Sequence, residues 1–357
     1  MTPGISHESS VGTPRANNDW LSHTWRLTRW NLRLARRRLM SKILLAILLV
    51  GFLAVIGVVL LSYVVVSSAS TTTQVSSCPT PVATSQSGEV GPGSPQPVCT
   101  PASSQDQQEL RSAQDSTLQF LTFPTILIPV GGYTGFMGII LLCILTGALI
   151  GNEYSFGTQR LALSRGVSRA QLLAGQVGAL AILALAVAGG MIILGALVGL
   201  ALGPILGGSI PAIPPTFLLE ILGFWLVISL QLFAYALIAL LLATLGRSTA
   251  AGIAGALGYL LFEIIALPII AAIGAALIGS TFGSILNNLQ SLFLGPNLSG
   301  LLNGVSQSPI DLTGGTGGST LATSVIGPAQ GLLVALLYCV LLVGASYWLL
   351  RKRDVTH

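Results

Sequence analysis

The chain has 357 residues, of which 52% are apolar and only 8% charged. A water-soluble domain carries about a quarter charged residues, so an ordinary soluble fold is excluded and most of the chain must face hydrocarbon or its own interior. The formal net charge of +5 does not point to nucleic acid, because the basic residues sit beside the apolar runs.

Residues 1–19 are polar and predict a disordered tail. From Trp20 to Met40 the pattern changes. Arg26, Arg29, Arg33, Arg36 and Arg37 recur at spacings of three and four, on one face of a helix. Trp20, Leu21, Leu27, Trp30, Leu34 and Leu39 fill the rest of the circumference. A basic stripe opposite Trp and Leu predicts an amphipathic helix in the headgroup region; the alternative is a positive flank that anchors the next helix. No secretory signal is expected, because the first apolar run is too long for a signal core and has no cleavage site.

Six apolar spans follow, at 43–66, 123–151, 172–202, 216–245, 250–278 and 326–350. Each is long enough for a bilayer core about 30 Å thick, and the longest should tilt or project beyond it. Pro124, Pro129, Gly131 and Gly132 weaken the start of the second span. The expected fold is an all-α integral membrane protein, a six-helix transmembrane bundle with an interfacial helix before it. The expected organisation is a tail and interfacial helix over 1–42, a transmembrane domain over 43–350 and a short tail over 351–357.

Orientation follows from Lys and Arg. With the N-terminus in the cytoplasm, fifteen of the sixteen basic residues fall on the cytoplasmic side and only Arg111 outside. Both termini are then cytoplasmic, in a cell (plasma or inner) membrane, and Trp348 beside Arg351, Lys352 and Arg353 fits an aromatic belt at the inner face. The outer loops are about 67–122, 203–215 and 279–325. The first is rich in Ser, Thr, Pro and Gln and holds Cys78 and Cys99. If it lies outside the cell, a disulfide between them is expected; the alternative is two free thiols. Cys143 and Cys339 lie inside apolar runs as core residues. In the last outer loop Phe282, Ile285, Leu286, Leu289, Leu292 and Phe293 have helical spacing, opposed by Asn287, Asn288, Gln290 and Ser291. This predicts an amphipathic helix resting on the outer leaflet or capping the bundle. Asn297-Leu298-Ser299 matches a glycosylation acceptor, a pattern common by chance.

The cytoplasmic connector between the second and third spans, about 152–171, carries the most informative motif. It is a short polar stretch with a turn at Gly157, a break at Gly166 and Ser168 as the N-cap of the next helix. In order it holds Glu153, Gly157-Thr158, Arg160, Arg165 and Ser168-Arg169. The order Glu, Gly-Thr, Arg, Ser-Arg after a second span resembles the membrane subunits of type-2 ABC exporters. The six-span layout, a leading interfacial helix and helices before the last span resemble them too. The long first outer loop is a departure. In that family this connector forms a short coupling helix that docks on an ATP-binding subunit. The resemblance therefore implies that 153–169 is the contact surface here, with Glu153, Gly157, Thr158, Arg160, Arg165, Ser168 and Arg169 as partner-coupling residues.

The chain has no phosphate-cradling loop, since Lys42 is followed by Ile43 and Lys352 by Arg353. ATP and Mg are thus expected on a separate partner, with no cofactor or metal in this chain and no catalytic residues. His7, His23 and His357 lie near the termini, which argues against a membrane metalloprotease. Two carboxylates, Glu220 and Glu263, fall within spans, where charge is costly. Glu220 is near the outer end and can reach the interface. Gln231 and Glu263 lie equally far on either side of Arg247, so both should sit at similar depth. Glu263 is expected to be protonated or hydrogen-bonded, with Gln231 or Tyr259 as partner; structural glue and a substrate-path role both remain open. Gly195, Gly199 and Gly203, and Gly147 and Gly151, have the four-residue spacing of close helix contacts, within one bundle or between subunits.

The reading these features support is a permease subunit that pairs with a second copy or a related permease and moves a hydrophobic or amphipathic cargo outward. Its partners would be an ATP-binding subunit and membrane lipids, with no nucleic acid. The alternatives are a proton-coupled secondary transporter using Glu263 and a membrane scaffold or sensor.

Overall fold

The computed structural model describes residues 18–75, 112, 118, 121–157, 164, 166–206, 215, 217–277, 280–306 and 327–352. Among them every regular element is helical, because in hydrocarbon a helix satisfies its backbone polar groups within one segment. Helix α1 is Asn18–Arg37 and α2 is Leu39–Val75. The second span begins as α3 (Leu127–Tyr133), passes through a π-helical turn at Thr134–Gly138 and continues as α4 (Ile139–Ser155). Then come α5 (Arg169–Ile205), α6 (Phe217–Gly246), α7 (Thr249–Ala276), α8 (Thr281–Gln290), α9 (Leu294–Ser306) and α10 (Pro328–Lys352).

Among the described residues, six stretches are long and apolar enough to cross a membrane. Their ends fall close to the expected ones. Serines set several helix starts. Ser168 caps α5 in a reciprocal capping box with Gln171, and Ser248 accepts from the Ala251 amide at the start of α7. The expected weak start of the second span is real: turns occupy 122–126, and Pro129 sits in the first turn of α3, where its missing N–H forfeits no helix bond. The turn at Arg247 and the Arg351–Lys352 terminus of α10 share one end of the bundle, here the basic end; Lys352 lies 4.8 Å from the centre of the Trp348 ring.

Helix α6 is the centre. Ile228, Leu232, Leu237, Leu240 and the alanines between them are wholly buried, with α4, α5, α7 and α10 around it. Glycines allow the closest approaches. A Cβ on Gly147 would fall 2.7 Å from Ile253 Cγ1 and 2.8 Å from its backbone nitrogen, and one on Gly151 would strike Thr249. Gly195 faces Val130 and Gly199 faces Ile126. These four glycines thus serve packing inside one chain. Helix α2 is attached more sparsely. Tyr133 is its main tie: the hydroxyl donates to the Leu48 carbonyl at 2.9 Å, the ring meets Phe52, and Gly51 leaves room for it. Two apolar crevices of about 210 and 190 Å³ flank this tie, one lined by Val55, Ile56, Val59 and Ile126, the other by Leu45, Leu48, Leu141 and Val187.

Two helices outside the six spans pack against them. The face of α1 that holds Leu27, Thr28 and Ala35 packs on α5, where Gly175 and Gly178 receive Leu27 and Thr28. The Arg stripe remains exposed, with Trp25 and Trp30 on either side of it. The helix expected to rest on the outer leaflet or cap the bundle, α8, runs back along α7. The chain turns at 291–293, where Phe293 meets Phe262 with ring centres 6.1 Å apart. Phe262 is midway along α7, about 20 Å from either end by helix rise, so α8 and α9 form a hairpin that re-enters the bundle. Asn297 in this hairpin is wholly buried and donates to the Ser291 and Phe293 carbonyls at 2.6 and 2.7 Å. It is therefore no glycosylation acceptor.

Because backbone as well as side chain crowds Gly147, Gly147→Ala is expected to destabilise by about 1–3 kcal/mol, the usual range for overpacking. It should lower the melting temperature in detergent, whereas Gly258→Ala, with nothing within 4 Å of the added methyl, should leave it unchanged or raise it.

Candidate functional site

Two arrangements of polar groups stand out, one at the basic end and one at mid-span. The connector between α4 and α5 opens with Phe156, which is 77% exposed, and Gly157. Gly157 and Gly166 take φ of 65° and 85°, the left-handed region that glycine enters without strain. Glu153, one turn before Phe156, points the other way. It is only 8% exposed, and Gln176 Nε2 of α5 donates to its Oε2 at 2.6 Å. A carboxylate bonded by a side-chain amide at this depth holds α4 to α5. At the far side of the connector, Arg169 Nη1 donates to the carbonyls of Leu350 and Arg351 at 2.9 and 3.1 Å. Those carbonyls lie in the last turn of α10, which has no intrahelical donors for them, and a cation there also opposes the helix dipole. Arg38 reaches the Ala148 carbonyl at 3.3 Å.

Of the expected partner-coupling residues, Glu153 and Arg169 are thus engaged within the chain. Ser168 is engaged in its capping box, and Gly157 supplies the turn. Thr158, Arg160 and Arg165 lie outside the described residues, as do Cys78 and Cys99. Cys143 and Cys339 are buried free thiols.

At mid-span, Glu263 accepts from the Tyr235 hydroxyl at 2.5 Å and from the Gly295 amide at 2.6 Å. Gly295 is the second residue of α9, so a side chain from α7 caps the start of the re-entrant helix. Tyr259 bonds the Leu294 backbone, and Tyr338 of α10 donates to the Leu292 carbonyl at 2.7 Å. With Asn297, these side chains serve the backbone of all five residues from Ser291 to Gly295. Irregular backbone is tolerated at membrane depth only when it is served in this way.

The expected partner of Glu263 was Gln231 or Tyr259, and both expectations are corrected. Tyr235 is the donor. The α6–α7 hairpin pairs Ala243 with Gly252 and Leu242 with Gly255, so its centre lies past Arg247 and the facing residue is one turn nearer to it. Gln231 instead faces Gly135 of the second span, and Tyr259 stacks obliquely on Tyr235 with ring centres 6.2 Å apart. Glu220, in the first turn of α6, is buried, and its Oε2 has no hydrogen-bond partner among the described residues. Residue type alone marks Tyr235, Gln176 and Tyr338 as polar groups inside apolar runs. Asn297 and Gly295 carry no such signal, because only the hairpin brings them to mid-span.

Six apolar spans, with α6 buried among the others and a polar connector at the basic end, define a multi-span membrane protein of the transporter class. The model of the ABC-2 family transporter proteins matches residues 35–355; the chain belongs to that family and is an ABC transporter permease subunit, as the motif resemblance implied. No curated protein and no solved structure matches it.

Glu263→Leu would leave the Gly295 amide and the Tyr235 hydroxyl without an acceptor, at a cost on the order of 1–3 kcal/mol for each buried group. The purified protein is expected to melt lower and to be cleaved more readily by protease around 291–295. Glu263→Gln keeps an acceptor oxygen and should lie between the two.

Proposed function

We propose that this permease subunit works as an exporter half, with both termini cytoplasmic and a separate ATP-binding subunit docked on the connector. The observation that carries this is the construction of the connector: an exposed Phe156 at a glycine turn, held from behind by Glu153–Gln176 and from the side by Arg169 on α10. A docking surface that transmits force needs such a rigid back. Docking then falls to Phe156 and to the stretch that contains Thr158, Arg160 and Arg165, while Glu153 and Arg169 brace it. ATP and Mg act on the partner, which closes on ATP and moves the connector. Two permease copies, or one with a related permease, complete the path. Placing the basic end in the cytoplasm follows the distribution of Lys and Arg.

An apolar or amphipathic cargo is supported by the crevices beside α2, whose linings are almost entirely aliphatic or aromatic. Proton coupling through Glu263 is the weaker reading, since both of its oxygens are occupied in holding the re-entrant turn.

Purification from the native membrane in mild detergent is expected to bring down an ATP-binding subunit in stoichiometric amount, with ATPase activity in the sample. Arg160→Glu/Arg165→Glu should lose that subunit while the permease remains folded. A wild-type chain that copurifies with no such subunit under several gentle conditions would overturn the reading.

A further inference from the structure

The bonds of Arg169 have a consequence beyond bracing. Its guanidinium holds the last carbonyls of α10, so the connector and the inner end of the last span are one piece. Higher up, α10 is fixed to the re-entrant hairpin. The Tyr338 hydroxyl donates to the Leu292 carbonyl, Gly331 lies against the Asn297 carbonyl, and Pro328 lies against Gly304. Tyr338 and Leu350 are twelve residues apart in a continuous helix, about 18 Å by helix rise. Along its length α10 is seated by small residues, with Gly331, Ala335, Cys339 and Ser346 buried and Leu333, Leu336, Leu337, Val340 and Leu341 turned outward. A helix tied at two levels and seated largely on small residues, with Leu342, Val343 and Leu350 half-buried beside them, moves as a rigid rod.

We propose that Arg169 is a positioning residue that makes α10 a push-rod, carrying movement of the connector to the α8–α9 hairpin. This rests on the permease reading above. Neither group touches cargo or nucleotide in this scheme. Arg169 drives the lower end of α10, and Tyr338 delivers the movement to the turn at 291–293. The turn is a discrete element with its own set of hydrogen bonds, so it has a state to be shifted from, as a coupling claim requires.

The test is hydrogen exchange on the complete complex in lipid nanodiscs, comparing the nucleotide-free state with the state trapped by ATP and vanadate. In the wild type, trapping should change exchange both at 166–172 and at 292–296. In Arg169→Gln the ATP-binding subunit should copurify in the same ratio and 166–172 should still respond, while the response at 292–296 falls by more than half. Arg169→Lys, which can still donate to carbonyls, should restore most of it. Tyr338→Phe, at the other end of the rod, should lose the response at 292–296 with 166–172 untouched, and it serves if Arg169→Gln does not fold. A full response at 292–296 in Arg169→Gln or Tyr338→Phe overturns the proposal. A wild-type complex that lacks an ATP-binding subunit overturns the permease reading instead, and is seen before any substitution is made.

Discussion

Hydrocarbon offers a polypeptide backbone no hydrogen-bond partners, and the most unusual part of this molecule is built to meet that constraint. The turn between α8 and α9 brings five residues of backbone to mid-span depth at the edge of the bundle, where turn bonds serve the Leu292 and Phe293 amides but helix geometry does not serve every group. Glu263, Tyr259, Tyr338 and Asn297 do so instead, with Tyr235 holding the carboxylate in place. A carboxylate that would be costly in lipid is the acceptor that lets a helix begin there. Its position in α7, its bond to Tyr235 and the burial of Asn297 are parts of one solution.

The same accounting organises the basic end. Helix ends leave carbonyls and amides without partners, and here side chains supply them, from another element at the end of α10 and from its own capping residues at the start of α5. Arg169 serves the end of α10, Arg38 serves a carbonyl of α4, and Ser168 and Gln171 serve the start of α5. The bonds of Arg169 and Arg38 also join separate elements, so the connector is fastened to the last span as well as to its own helices. The rigidity needed for force transmission follows from groups that need partners in any case.

Lateral packing has a different character. Within the bundle α4, α6 and α7 approach at glycine and alanine, so dispersion contacts rather than polar bonds hold them together. Helix α2 lacks such a seam and depends on Tyr133, with open apolar crevices above and below. The chain therefore pairs a tightly packed centre with one loosely held span.

Span number, approximate span ends, the basic end and the connector motif were legible in the sequence. They depend on local quantities: the length of an apolar run, the placement of Lys and Arg, and a serine before a helix. Which side of each span faces which neighbour was not legible, because a span that is apolar all round has no directional pattern to read. That is why Glu263 could be given a depth but not its partner: the depth follows from counting along one hairpin, while the choice of Tyr235 over Gln231 depends on where the α6–α7 contacts centre. The inward turn of Glu153, the reach of Arg169 to α10 and the re-entry of α8 and α9 were likewise decided by tertiary structure. Each joins groups far apart in the chain, and packing of one helix against another is what brings them within bonding distance.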